Sequence, residues 1–158
     1  MFVGVPIAVG GELYNVAAAL NHGNILGFTT KSFLPNYGEF YEMRQFRPGP
    51  KKAEKILFGG KEIPFGPQLL FVENQMANLI VSAEICEDVW SPVPPSIEAA
   101  REGATVIVNC SASDETIGKA SYREALISGQ SARLISGISM PTQEKVNRLQ
   151  ILYLADII

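Results

Sequence analysis

Residues 79–110 read LIVSAEICEDVWSPVPPSIEAAREGATVIVNC, and the reading of this stretch decides the fold. The run 79–85 is apolar and β-branched, which marks a buried strand ending at Cys86. Pro92, Pro94 and Pro95 then break the chain, and residues 96–101 have helical composition until Gly103 stops them. Residues 104–110, Ala-Thr-Val-Ile-Val-Asn-Cys, form a second buried-type strand. A strand, a short helix and a strand with such brief joints make a βαβ unit. That unit predicts a parallel pair with functional residues at the carboxyl ends of its strands, where Cys86 and the Ser-Ala-Ser of 111–113 fall.

Outward from this unit, residues 69–72 are a further short strand and residues 119–135 a helix. Toward the N-terminus the first 31 residues read as two strands, 13–20 and 25–28, around an Asn21-His22-Gly23-Asn24 turn, a hairpin that leads into Lys31. Residues 32–67 are dense in Pro, Gly and aromatics without periodicity and read as one long ordered loop, of the kind that serves a site. Within it, Gly59-Gly60-Lys61 lacks the spacing and the following Ser or Thr of a phosphate-binding loop and reads as a hairpin turn. Residues 144–158 form an apolar-faced helix that needs a partner surface. The expected class is α/β.

Composition narrows the function. The 158 residues are 47% hydrophobic and 18% charged, as in an ordinary globular domain or part of one. A net charge of −3 gives no basic surface for nucleic acid. Two cysteines and one histidine are too few for a disulfide framework or a zinc cage, so reduced thiols in the cytoplasm are expected. No run reaches the about 18 apolar residues of a membrane span, and no positively charged leader precedes an apolar stretch, so no membrane partner is expected.

Cys86 stands where an apolar strand meets an acidic, aromatic segment. It reads either as a nucleophile or as a packed thiol, since free cysteine is a common core residue. A nucleophilic thiol must lose its proton and needs a cation or base beside it. His22 lies in a surface turn, so a lysine or carboxylate has to serve. Lys31 closes an uncharged strand and precedes the rigid Leu34-Pro35-Asn36-Tyr37-Gly38 turn, unlike the solvated cluster Lys51, Lys52 and Lys55. Cys110, inside an apolar strand, reads as packing. Lys119 and Arg123 are near enough to the Ser113 loop to reach an anionic ligand group, although such residues usually form a solvated helix face.

A cysteine, a lysine and acidic neighbours without histidine resemble the Glu-Lys-Cys set of the nitrilase, or carbon–nitrogen hydrolase, superfamily. The stretch from Lys31 through Leu34-Pro35-Asn36-Tyr37-Gly38 and Glu42 to Phe46 is similar to that family's lysine motif, in the version found in the glutaminase domain of glutamine-dependent NAD synthetases. Glu84-Ile-Cys86-Glu87-Asp88-Val-Trp90 resembles the nucleophile motif, and Asn109-Cys-Ser111-Ala-Ser113 the next strand end. With Gly118-Lys119, Tyr122-Arg123 and 130–133, the resemblance runs over about residues 4–137.

The resemblance implies a nitrilase-like α-β-β-α sandwich, incomplete at both ends, over residues 1–137, with 138–158 as a tail that departs from the family. It implies a Cys86 thiolate that attacks the side-chain amide of glutamine, with Lys31 and the N–H after Cys86 on the oxyanion. Glu42 would hold the lysine and the substrate geometry, and Tyr37, Glu87, Trp90 and Ser113 would line the glutamine pocket. The family's general-base glutamate lies on an earlier strand, in a segment that would precede Met1, and Glu12 does not match it. The chain is therefore expected to be a piece of a longer domain with little or no activity alone.

No cofactor is implied for this domain. ATP and magnesium would belong to a synthetase domain, and that domain, glutamine and further copies of the chain are the implied partners. The alternatives are another superfamily amidase, nitrilase or carbamoylase, or a catalytically incomplete binding or assembly module that lacks the base.

Overall fold

The computed structural model describes residues 1–113, 116–141 and 150–153. Five strands form the first sheet: β1 (Phe2–Val9), β2 (Glu12–Asn21), β3 (Asn24–Thr30), β4 (Glu54–Phe58) and β5 (Lys61–Gly66), in spatial order β1-β2-β3-β5-β4. The second sheet holds β6 (Leu70–Val72), β7 (Ile80–Glu84), β8 (Val106–Asn109), β9 (Gly137–Pro141) and β10 (Gln150–Tyr153), in order β10-β9-β8-β7-β6. Helix α1 (Pro95–Arg101) crosses from β7 to β8, and α2 (Lys119–Leu134) from β8 to β9. Both crossovers join parallel neighbours, as the 79–110 stretch requires.

Three sequence expectations are corrected. The first is β1, which pairs antiparallel with β2 from Phe2↔Ala19 to Val9↔Glu12 and makes the N-terminal unit three strands rather than two. Gly4 and Pro6 hide it in the sequence, and Pro6 is accommodated because β1 is an edge of the sheet. The second is the stretch 32–67, which is not all loop. Its last third is the β4–β5 hairpin, turned at Gly59 and Gly60 with φ of 57° and 78°. Pro64 and the charged Glu54, Lys55, Lys61 and Glu62 disguise these strands, which become strands by pairing with each other and with β3. The third concerns 144–158. Gln150–Tyr153 is a strand antiparallel to β9, because the open edge of β9 supplies backbone partners that a lone helix there would not use; the rest of that segment lies outside the described residues.

Three apolar clusters hold the layers. All five strands of the first sheet contribute to one, built on Val16, Phe28, Ile63 and Phe65. Helices α1 and α2 cover the second sheet through Ala99, Ile107, Ile127, Ile138 and Met140. Between the sheets lie Ala17, Ala83 and Ile85, with Phe2, Cys86 and Cys110 packed against them. The small Ala17 of β2 and Ala83 of β7 pack between the two sheets, and β3 touches β7, which brings together the ends of strands that carry Lys31 and Cys86. Among the described residues no helix covers the first sheet, and none is long and apolar enough to cross a membrane.

Phe28 is 2% exposed and meets Phe58 edge-on at 4.9 Å. Phe28→Ala should therefore destabilise the chain by about 3–5 kcal/mol, measured as a lowered midpoint in urea.

Candidate active site

Lys31 is the first residue past β3 and is 1% exposed. Its backbone is held from two sides: its N–H donates to Asn15 O at 2.9 Å, and its carbonyl accepts from Gly49 N at 3.0 Å. A buried ammonium needs a counter-charge, and Glu42 supplies it, with both carboxylate oxygens 2.8 Å from Nζ. Glu42 opens a short 3-10 turn, Glu42–Arg44, whose entry is fixed by the Glu42 N–H on Pro35 O at 3.3 Å. The rigid turn after Lys31 thus returns the chain to its own lysine.

Facing this pair, β7 ends at Glu84 and Cys86 begins a 3-10 turn, Cys86–Trp90. Cys86 has φ of +48°, a left-handed conformation that costs energy for a side-chain-bearing residue and persists only when its surroundings enforce it. Two buried groups do so. Asn109 Oδ1, at the end of β8, accepts the Cys86 N–H at 3.1 Å, while Asn109 Nδ2 donates to Glu84 Oε1 at 3.3 Å. Asp88, 0% exposed, accepts the Ile85 N–H at 2.9 Å through Oδ2 and the Ser32 and Phe33 N–H groups at 3.0 and 2.9 Å through Oδ1.

A cavity of about 790 Å³ opens between these elements. Lys31, Glu42 and Cys86 line it together. Tyr37, Glu87, Trp90, Ser113 and Lys119 also line it. Tyr37 donates to Glu87 Oε1 at 2.7 Å, and that bond, with burial, pushes its phenol up to about 12. Trp90 stacks on Tyr122 at 5.6 Å to form another part of the wall.

Arg123 is not among the lining residues; it is 6% exposed on the buried side of α2, one turn beyond Lys119. Cys110 packs against the cluster between the sheets, as its sequence context suggests, and only its place inside the strand is corrected. It lies just past the end of β8 and lines the cavity, because Glu84↔Asn109 is the last register pair of β7 and β8. Burial raises its thiol pKa. Among the described residues no group of His, Cys, Asp and Glu is arranged to hold a metal ion.

Asp88, Asn109, Glu84, Gly49 and Tyr122 were not assigned roles from the sequence. An acidic residue inside an apolar run was the available signal for Glu84, whereas Asp88 and Asn109 act through partners 56 and 23 positions away.

No family model matches the chain. It is 43% identical over 136 residues, 86% of its length, to the glutamine-dependent NAD(+) synthetase of Mycobacterium tuberculosis, of which it covers 20%. A crystal structure of a glutamine-dependent NAD(+) synthetase from Cytophaga hutchinsonii superposes with a TM-score of 0.75 at 30% identity, over 88% of this chain and 22% of that one. The chain is a nitrilase-fold relative of the glutamine-dependent NAD(+) synthetases. It spans about a fifth of the length of these relatives. A branch 10 member of the nitrilase superfamily from Saccharomyces cerevisiae, at 20% identity and a TM-score of 0.59 over 96% of this chain and 47% of that one, shares the fold.

Two predictions follow the buried groups of this nitrilase-fold chain. A Cβ on Gly49 would lie 1.9 Å from Thr30 Oγ1 and 2.5 Å from Thr30 Cβ. Gly49→Ala should push the loop off Lys31 and cost about 1–3 kcal/mol, read as a lower Tm. Burial raises Glu84 to about 7 and Asp88 to about 6. Both lie above their ordinary values, so the stability these groups contribute is fully present at acid pH and is lost as pH rises through about 6 to 7. On going from about pH 8 to about pH 5 the parent chain should therefore gain Tm relative to Glu84→Gln, which cannot take up that proton.

Proposed function

We propose that this chain is the nucleophile-bearing part of a glutamine amidohydrolase unit that supplies ammonia for converting deamido-NAD to NAD. The observation that carries this reading is the bidentate Lys31–Glu42 pair, buried in the same cavity as a cysteine on a strained turn. The relatives' dependence on glutamine, stated in their names, supplies the substrate class.

The Cys86 thiolate attacks the amide carbon, and the carbonyl electrons move to an oxyanion held by Lys31 Nζ and the Glu87 N–H. Collapse breaks the C–N bond, and the departing nitrogen takes a proton to leave as ammonia. Water then attacks the thioester, returns the thiol and releases glutamate. Glu42 aims Lys31 through its two contacts to Nζ. Tyr37, Glu87, Trp90 and Ser113 shape the glutamine pocket, with Lys119 at its wall. No cofactor takes part here. ATP and magnesium belong to the synthetase reaction, carried out by a separate domain, and assembly with that domain and with further copies in the cytoplasm completes the proposal.

Of the described residues at the site, no carboxylate is left over to carry the proton. Among the described residues, Glu42 is engaged with Lys31, Glu87 with Tyr37, Asp88 with three backbone amides, and Glu84 with Asn109 and Ser96. This occupation also favours the second reading, a fold-preserving assembly module.

Glutamate release separates the two readings. A positioned acid or base is worth about 10²- to 10⁴-fold, so the 158-residue chain should turn over glutamine barely or not at all, whereas a chain extended at its N-terminus should do so in a Cys86-dependent manner. Release that stays absent after extension leaves the assembly module. Robust release by the chain alone would make Glu42 or Glu87 the base. In the folded chain iodoacetamide should mark Cys86 before Cys110, whose thiol burial holds protonated. Preferential labelling of Cys110 would reverse the assignment.

A further inference from the structure

The carboxylate of Asp88 is engaged on both sides of the cavity although it does not line it. Oδ2 takes the Ile85 N–H, three residues back in the same turn, which is a local cap that many short polar side chains can provide. Oδ1 takes two N–H groups from another part of the chain, those of Ser32 and Phe33, the residues directly after Lys31. The remote pair is what a cap alone leaves unexplained. Three donors converge on one side chain, with 0% exposure and no solvent to replace any of them. Asparagine is nearly the same size but offers one carbonyl oxygen and an NH₂, so one of the two sides would face donor against donor.

We propose that Asp88 is a positioning residue that sets Lys31 against Cys86 by tying the backbone after the lysine to the backbone before the cysteine. The proposal rests on the reading of Lys31 and Cys86 given above and deepens it. Asp88 touches neither substrate nor Lys31 Nζ; it acts through the chain on each side. The lysine has its own anchors on Asn15 of β2, in the first sheet, and on Gly49, in the loop before β4, whereas Asp88 ties the residues after it to the turn that follows β7 in the second sheet.

The test is the rate at which iodoacetamide alkylates Cys86 in the folded 158-residue chain, measured by mass spectrometry in a double-mutant cycle of Asp88→Asn with Lys31→Met. Each single variant should slow alkylation by about five- to tenfold, and the double should be within about twofold of Lys31→Met alone, since both remove the same influence on the thiol. Ile63→Val, in the core of the first sheet whose apolar cluster holds no residue that lines the cavity, should lower Tm and leave the rate unchanged. An Asp88→Asn chain that melts lower yet alkylates like the parent, or whose slowing multiplies with that of Lys31→Met, would make Asp88 merely structural and overturn the proposal.

If Asp88→Asn does not fold, Asp88→Glu keeps the charge and both acceptors on a longer arm. It should slow Cys86 and lose part of its coupling to Lys31, and parental rate and coupling in that variant would overturn the proposal equally. A rate indifferent to Lys31→Met would remove the lysine's influence and the proposal with it. Because thiol reactivity is read rather than glutamine turnover, an intact coupling in a chain that never releases glutamate, extended or not, would sink the glutaminase reading alone.

Discussion

Lys31, Glu84 and Asp88 are each at most 1% exposed at the seam where the ends of β3 and β7 meet. Ionisable groups are expensive to bury, and each must find its partners within the protein. Lys31 takes Glu42 from the loop that follows it; Asp88 takes amides from that loop and from the entry of the Cys86 turn; Glu84 takes Ser96 from α1 and Asn109 from β8. The arrangement of the loop, the turn and the first helix relative to one another follows from satisfying these three side chains. Glu84 at about 7 and Asp88 at about 6 show that the protein leaves part of the desolvation cost standing.

The sheets make that seam possible. Ala17 of β2 and Ala83 of β7 pack the two sheets closely, and the register of β7 with β8 ends at Glu84↔Asn109, so Asn109 is the neighbour of the Cys86 turn. The left-handed cysteine is then held by its own amide on Asn109 and by the flanking Ile85 amide on Asp88. Strain at Cys86 is sustained by packing and hydrogen bonds built elsewhere. The same economy appears at Gly49, where the absence of a side chain lets the loop close on Thr30 and Lys31.

Similarity to the glutamine-dependent NAD(+) synthetases extends over most of this chain and over about a fifth of theirs. Around one cavity these residues set a thiol, a cation with its own counter-ion, and an aromatic and polar wall. Glu42, Glu84, Glu87 and Asp88 are each engaged in holding that arrangement together.

The sequence by itself determined the βαβ core and its flanking helix, because apolar runs at 79–85 and 104–110 and their Pro and Gly boundaries are local signals that tertiary packing reinforces. It also singled out Lys31, Glu42 and Cys86 through three motifs in order. It did not disclose β1, whose Gly4 and Pro6 obscure the alternation; it marked the turn of the β4–β5 hairpin at Gly59 and Gly60 but not its charged and proline-bearing strands, which exist through pairing with each other and β3. Residues 150–153 became a strand because β9 offered an open edge, a partner that sequence periodicity does not register. Only the tertiary structure decided which acidic residues hold the site. Asp88 and Glu84 read in sequence as two more charges beside Cys86, and their work is defined by donors from Ser32, Phe33, Ser96 and Asn109, which chain folding brings to them across 12 to 56 positions.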